Sequence, residues 1–115
     1  MSNLEDKLAF HIRAIKLPKP EQQYKFHPTR RWKADFCWVE EKLIVEVQGG
    51  IWASRHGTKS GHTTGQGILR DCEKMNEAVL LGYKYLKVCK EHIDSGQAID
   101  WIQKAVYLIC ANLKT

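Results

Sequence analysis

The run Arg31-Trp32-Lys33-Ala34-Asp35-Phe36-Cys37-Trp38-Val39-Glu40-Glu41-Lys42-Leu43-Ile44-Val45-Glu46-Val47-Gln48-Gly49-Gly50 decides how this chain folds. Residues 32–39 are rich in aromatic and apolar side chains, and residues 43–47 are largely β-branched or apolar, so each half predicts a strand. Val39-Glu40-Glu41-Lys42 links them, although neither glutamate suits a type I′ turn, and Gly49-Gly50 ends the second strand. Side chains alternate across a strand, so Lys33, Asp35, Cys37 and Val39 share one face of the first strand. Ile44, Glu46 and Gln48 share one face of the second. A turn centred on Glu40-Glu41 pairs residues whose numbers sum to 81, whether it has two residues or four. Val39 then faces Lys42, Asp35 faces Glu46 and Lys33 faces Gln48. A single-residue bulge would move the acids apart.

Two carboxylates side by side in a hydrophobic hairpin are in conflict. Like charges across a strand pair destabilise it, and burying them unpaired costs more. A divalent cation removes the conflict, and Mg²⁺ favours one or two carboxylates together with water and phosphate oxygens. The alternative pairs Asp35 with Lys33 or Arg31 and leaves Glu46 on a solvated face. That suits poorly an acid set among Leu43-Ile44-Val45 and Val47.

The flanking sequence builds a layered domain around this hairpin. Leu4, Leu8, Ile12 and Ile15 form one helical stripe, Ser2 and Glu5 stand at capping-box spacing, and Pro18 and Pro20 stop the helix near Lys16. Residues 17–31 read as a basic, extended connection. Residues 51–67 read as a glycine-rich polar loop, long enough to suggest a function of its own. A second helix is expected from about Ile68 to Leu81, with Ile68, Cys72, Met75 and Val79 as its core stripe and Gly82 at C′. Tyr83 to Cys89 predicts a third strand. Asp94 or Ser95 opens a final helix with Ile99, Ile102, Val106, Ile109 and Leu113 inward. The order α-β-β-α-β-α makes an α/β or α+β domain with a small mixed sheet.

With 115 residues the chain has the size of a single domain, and its 43% hydrophobic and 27% charged residues exclude disorder and fibrous classes. No apolar run reaches membrane-spanning length, and Met1 to Asp6 has no signal-peptide core, so a cytoplasmic, reducing setting is expected. Cys37, Cys72, Cys89 and Cys110 match no zinc spacing and read as buried thiols. The net charge of +5 is concentrated in two blocks. Arg13, Lys16, Lys19, Lys25, Arg30, Arg31 and Lys33 meet only Glu21 between His11 and Lys33, while Arg55, Lys59 and Arg70 meet no acid between Ile51 and Arg70. Aromatics lie among them, which suggests a polyanion, most simply nucleic acid. Trp32, Trp38 and Trp101 are expected in the core, and Trp52 is the candidate for stacking on an opened base. His56, His62 and a cysteine could hold zinc, but at a spacing that matches no strong pattern.

Asp35-Phe36, Val45-Glu46-Val47-Gln48-Gly49-Gly50, Arg55-His56, Asp71-Cys72-Glu73-Lys74-Met75-Asn76 and Leu81-Gly82-Tyr83 together resemble the PD-(D/E)XK, or restriction-endonuclease-like, nucleases. The run is most similar to small phage and prophage endonucleases of that superfamily, which have been compared with very-short-patch repair endonucleases and Holliday junction resolvases. The likeness covers residues 3–90, most of the chain. It implies an αβββαβ-type core, Mg²⁺ (or Mn²⁺) as cofactor and DNA as substrate. Asp35 and Glu46 match the metal-binding acids, with the Val47 carbonyl as a further ligand. Glu5 matches the acid that several members carry on the first helix, besides its capping role. Ala34 replaces the motif proline and Gln48 replaces the motif lysine. Lys74 agrees with a lysine moved to the following helix, whereas Lys33 is the alternative that the hairpin register offers.

A metal-dependent DNA endonuclease is therefore expected, with Asp35, Glu46, Gln48, Lys74 and Glu5 at its centre. Arg30, Arg31, Lys33, Trp52, Arg55, His56, Lys59 and Arg70 are expected on the DNA. Little room for base-reading elements favours branched, nicked or weakly specific duplex targets. A homodimer is compatible with cutting both strands. The competing expectations are a nuclease fold that only binds DNA, motivated by Gln48, and a factor whose basic face meets an acidic protein.

Overall fold

The computed structural model describes residues 3–49 and 65–113. Among these, α1 (Asn3–Ala14) is followed by β1 (Glu21–Lys25), β2 (Lys33–Trp38), β3 (Leu43–Gln48), α2 (Gly65–Leu80), β4 (Lys84–Cys89), α3 (Lys90–Ser95) and α4 (Gln97–Leu113). The strands form one sheet in the order β1-β2-β3-β4. The first two pairings are antiparallel and β3 runs parallel to β4, with α2 as the crossover. The result is an α/β domain with a small mixed sheet flanked by helices.

The hairpin has the expected register. Phe36 pairs with Val45, Cys37 with Ile44 and Trp38 with Leu43. Four residues make the connection. The Lys42 N–H bonds the Val39 carbonyl at 3.2 Å, and Lys42 itself turns left-handed (φ 55°) so that no glycine or asparagine is needed at the glutamates.

Each face of the sheet carries its own core. On one side α1, α3 and α4 bring Leu8, Ile12, Ile93, Ile102 and Val106 onto Phe36, Trp38, Val45 and Val88. The Trp38 indole N–H donates to the Pro18 carbonyl at 2.6 Å, satisfying its polar atom within that core. On the other side a smaller cluster joins Phe26, Ala34, Cys37 and Ile44 to Ala78 and Tyr83.

Several expectations are corrected. The segment read as an extended connection contains β1, whose Glu-Gln-Gln-Tyr-Lys sequence has no apolar alternation because it is an almost wholly exposed edge strand. The final helix is divided: Gly96 (φ 87°) caps α3, and α4 starts immediately after it. α1 ends before Ile15, which is 36% exposed rather than part of the core stripe. On α2 the expected core stripe is outward, with Ile68, Met75 and Val79 exposed and Cys72 likewise, while Gly67 and Ala78 are the buried positions. Of the cysteines only Cys37 is buried; Cys89 and Cys110 are half-buried. Trp38 is core, but Trp32 is half-buried and Trp101 exposed. Ser2, expected to cap α1, lies outside the described residues, as does the polar run after Gly50.

α2 ends in a Schellman motif: the Tyr83 N–H reaches the Ala78 carbonyl (3.1 Å) and the Gly82 N–H reaches that of Val79 (3.0 Å). Gly82 takes φ 97°, and a Cβ there would meet only Lys42 Cδ, at 4.0 Å. Gly82→Ala should therefore lower stability by the left-handed backbone cost alone, about 1 kcal/mol. Urea unfolding checks this beside Gly96→Ala, which has open space around its Cβ and should lose a similar amount.

Candidate active site

The β2–β3 ladder stops at the Phe36–Val45 pair, although β2 begins at Lys33 and β3 runs on to Gln48. Beyond that pair the Asp35 side chain takes up the ladder's work. Its Oδ2 accepts the Val47 backbone N–H at 2.8 Å. Its Oδ1 accepts a second hydrogen bond, at 3.2 Å, from the side-chain amide of Gln23 on β1. The same Gln23 nitrogen donates to Glu5 Oε2 at 3.1 Å. Asp35 is thus held from both neighbouring strands and joined through Gln23 to the acid of α1.

Glu46 is 8% exposed, the buried charged side chain among the described residues. Lys74, from α2, forms an ion pair with its Oε1, and the same ammonium donates to the Lys33 carbonyl at 2.7 Å. That Oε1 makes no hydrogen bond of good geometry, so the Lys74 charge is what stabilises it. Burial pushes the Glu46 carboxyl up to about 7; Asp35 adds to the rise through a hydrogen bond and its charge, and Lys74 only partly offsets it. Glu5 is raised as well, first by burial and then by the Asp35 charge, with the Gln23 hydrogen bond opposing. On β4, burial and the Glu46 carboxylate keep the Tyr85 phenol protonated.

These groups line one pocket of about 240 Å³, formed by Glu5, Asp35, Glu46, Val47, Gln48, Asp71, Lys74 and Lys87. A larger cavity between α1 and β1, of about 450 Å³, has a mainly apolar wall (Ala9, Ile12, Leu17, Phe36) and lies away from the acids. The smaller pocket is the one with chemistry. Four acids and two lysines line it among the described residues.

Every expected central residue reaches this pocket: Asp35, Glu46, Glu5, Val47, Gln48 and Lys74. Of the two candidate lysines, Lys74 touches Glu46, while Lys33 lends only its backbone carbonyl and leaves its side chain exposed. Gln23, Lys87 and Tyr85 are additions that the sequence did not point to. An isolated glutamine in a polar strand carries no signal, and the parallel register that sets Lys87 beside Glu46 is not readable from strand periodicity.

The donor set suits a hard divalent cation. Carboxylates and a backbone carbonyl are oxygen ligands, the kind such an ion takes. No three His, Cys, Asp or Glu side chains among the described residues are yet gathered as a ready ligand set. The Gln23 amide donates to both Glu5 and Asp35, and the Lys74 ammonium sits on Glu46. Asp35, Glu46 and Glu5 would hold the ion, with the Val47 carbonyl.

A basic loop before β2 is held by the helix that carries Lys74. His27 Nδ1 accepts the backbone N–H groups of Thr29 (3.2 Å) and Arg30 (3.0 Å), and its Nε2 pairs with Glu77 of α2 at 3.1 Å. The loop is therefore pinned to α2. Arg30 lies 4.0 Å over the Trp32 ring, and Arg31, Lys33 and Arg70 are exposed. Trp52, Arg55, His56, Lys59 and His62 lie outside the described residues.

Compared with family models, curated proteins and solved structures, the chain matches none of them.

The raised Glu46 carboxyl has a thermodynamic consequence in the absence of divalent cations. The folded state keeps a proton that the unfolded chain releases near 4.5, so stability is greatest below that pH and falls as pH rises towards about 7. The loss from Glu46 should be about 3 kcal/mol between pH 4.5 and 8. Urea unfolding in EDTA across that range checks it, and Glu46→Gln should flatten the curve.

Proposed function

We propose that the protein is a metal-dependent DNA endonuclease that hydrolyses phosphodiester bonds, as its resemblance to the PD-(D/E)XK nucleases implies. One observation carries this reading. Asp35 and Glu46 come together with Glu5 and Lys74 in a single pocket, and the helix that brings Lys74 also holds a basic loop through Glu77. The expected register holds as far as Phe36–Val45, the pair adjoining the two acids, and Lys74 supplies the charge that Gln48 lacks.

Asp35 and Glu46 are the ligands, with Glu5 and the Val47 carbonyl beside them. A divalent cation, Mg²⁺ or Mn²⁺, supplies activation of the attacking water and neutralisation of the phosphate charge. Lys74, anchored by the Lys33 carbonyl, presents its ammonium to the acids and would there stabilise negative charge on the phosphate. Gln48 can orient that water by hydrogen bonding but cannot add charge. Tyr85 remains a hydrogen-bond donor to the acids at working pH. Arg30, Arg31, Lys33 and Arg70 grip the backbone, a contact that positions DNA without reading its bases. Such a grip suits branched or nicked duplexes, or weakly specific cutting.

Incubation with supercoiled plasmid and with a branched duplex, in Mg²⁺ or Mn²⁺, tests the reading. Cleavage should require the cation, stop in EDTA and be lost in Asp35→Ala and Glu46→Ala. Lys74→Met should slow the single-turnover rate by about 10²-fold while leaving binding intact. Cleavage should also rise with pH through about 7, as Glu46 gives up its proton to ligate. Salt-sensitive binding without any cleavage would leave a DNA-binding module of nuclease shape; the absence of both would favour an acidic protein partner. In a separate binding measurement, Arg30→Ala and Arg31→Ala should each reduce the slope of log affinity against log salt by about 1.

A further inference from the structure

The loop between β1 and β2 is built around one ring. The His27 side chain is only 10% exposed. Its Nδ1 accepts the backbone N–H groups of Thr29 (3.2 Å) and Arg30 (3.0 Å), with the Thr29 hydroxyl at 3.4 Å. A backbone N–H can only donate, so Nδ1 holds the lone pair and the ring proton is on Nε2. That proton goes to Glu77 Oε1 of α2, 3.1 Å away. Glu77 thus fixes the tautomer, and the tautomer fixes the turn.

The turn brings Arg30 back over an aromatic cluster. Its guanidinium lies 4.0 Å from the Trp32 ring centroid. Trp32 stacks on Phe26 (6.3 Å, 17°) and meets the His27 ring in a T (5.3 Å, 81°). Arg30 itself stays exposed. It is held at two points, its backbone by His27 and its guanidinium by Trp32. A cation–π contact at an exposed site is weak, so the stacked position persists only while the Arg30 backbone stays in place. The hydrogen bonds to Nδ1 keep it there. The segment is also registered against the acids, because α2 holds it at both ends. Glu77 takes the His27 ring, and one turn earlier Lys74, which sits on Glu46, donates to the Lys33 carbonyl.

We propose that His27 is a positioning residue for contact with a DNA backbone phosphate, holding the turn so that the Arg30 guanidinium is pre-set on Trp32 at a fixed register from Asp35 and Glu46. This rests on the DNA reading above. Arg30 meets the phosphate; His27 acts through it and carries no charge in this tautomer.

The test is binding of a labelled DNA duplex, followed by fluorescence anisotropy in EDTA over a range of salt. It compares wild type, His27→Gln, His27→Asn, Arg30→Ala and the double variant of His27→Gln with Arg30→Ala. Asparagine places its side-chain oxygen where Nδ1 stands and can accept from the same two N–H groups, as in an Asx turn, but has no ring. Glutamine keeps a donor for Glu77 and lacks that acceptor. His27→Gln should weaken binding about fivefold, the cost of ordering one long side chain on association. Its salt slope should be that of wild type, because Arg30 keeps its charge. His27→Asn should bind as wild type does. Arg30→Ala should lose about 1 from the slope, and adding His27→Gln to it should weaken binding no further. Thermal unfolding verifies that each variant keeps the fold. Wild-type affinity in His27→Gln, or a further loss in the double variant, overturns the proposal while the DNA reading stands. An equal loss in His27→Asn overturns it by assigning the histidine to ring packing, and a lower salt slope in His27→Gln does so by making the histidine itself a phosphate contact. A wild type that binds no DNA overturns both.

Discussion

The hydrogen bond from the Val47 backbone to Asp35 Oδ2 is the contact on which the rest of the site depends. A sheet normally satisfies its backbone by strand pairing, and here β2 and β3 stop pairing at Phe36 and Val45. The Asp35 carboxylate satisfies one of the groups left open. By doing so it becomes a fixed part of the sheet, with Glu46 next to it on the following strand. Two acids are then brought together by main-chain geometry, and the Lys74 ammonium and the Gln23 amide answer the resulting repulsion, while burial first and then Asp35 raise the Glu46 carboxyl.

The hairpin was legible in the sequence because its information is local. Alternation and a symmetric connection were enough to set the register, and Phe36–Val45 and its two neighbours follow it. The strand β1 was not legible, because an exposed edge strand needs no apolar pattern; its partner β2 decides its existence. The additional strand gives the order αβββαβ over α1 to β4. The break between α3 and α4 depends on Gly96 taking φ 87°, a single residue inside an otherwise continuous helical signal.

The error on α2 is the most instructive. Ile68, Cys72, Met75 and Val79 have the spacing of a buried stripe, but Gly67, Asp71, Lys74 and Ala78 have the same spacing one residue earlier, and these face the sheet. Hydrophobic periodicity assumes that the inward side is the greasy one. On α2 the inward side carries the pocket's Asp71 and Lys74, and only Gly67 and Ala78 pack closely. The helix is oriented by the Lys74–Glu46 ion pair, the Lys74–Lys33 hydrogen bond and the Schellman turn at Gly82, not by its most apolar face.

This arrangement divides the sheet's two faces by purpose. The larger core, under α1, α3 and α4, contains Phe36, Trp38, Leu43 and Val45 and supplies hydrophobic stability. The opposite face carries a smaller cluster and then, further along the same strands, the acids. A buried carboxylate weakens the fold, so it can persist only on a sheet already held from behind. Glu5 comes from the stabilising side of this division and meets Asp35 and the Gln23 amide at the sheet's edge. The strained backbone at Gln23 (φ 53°) is therefore located where the two faces must be connected, and the well-packed face is what allows the sheet to carry it.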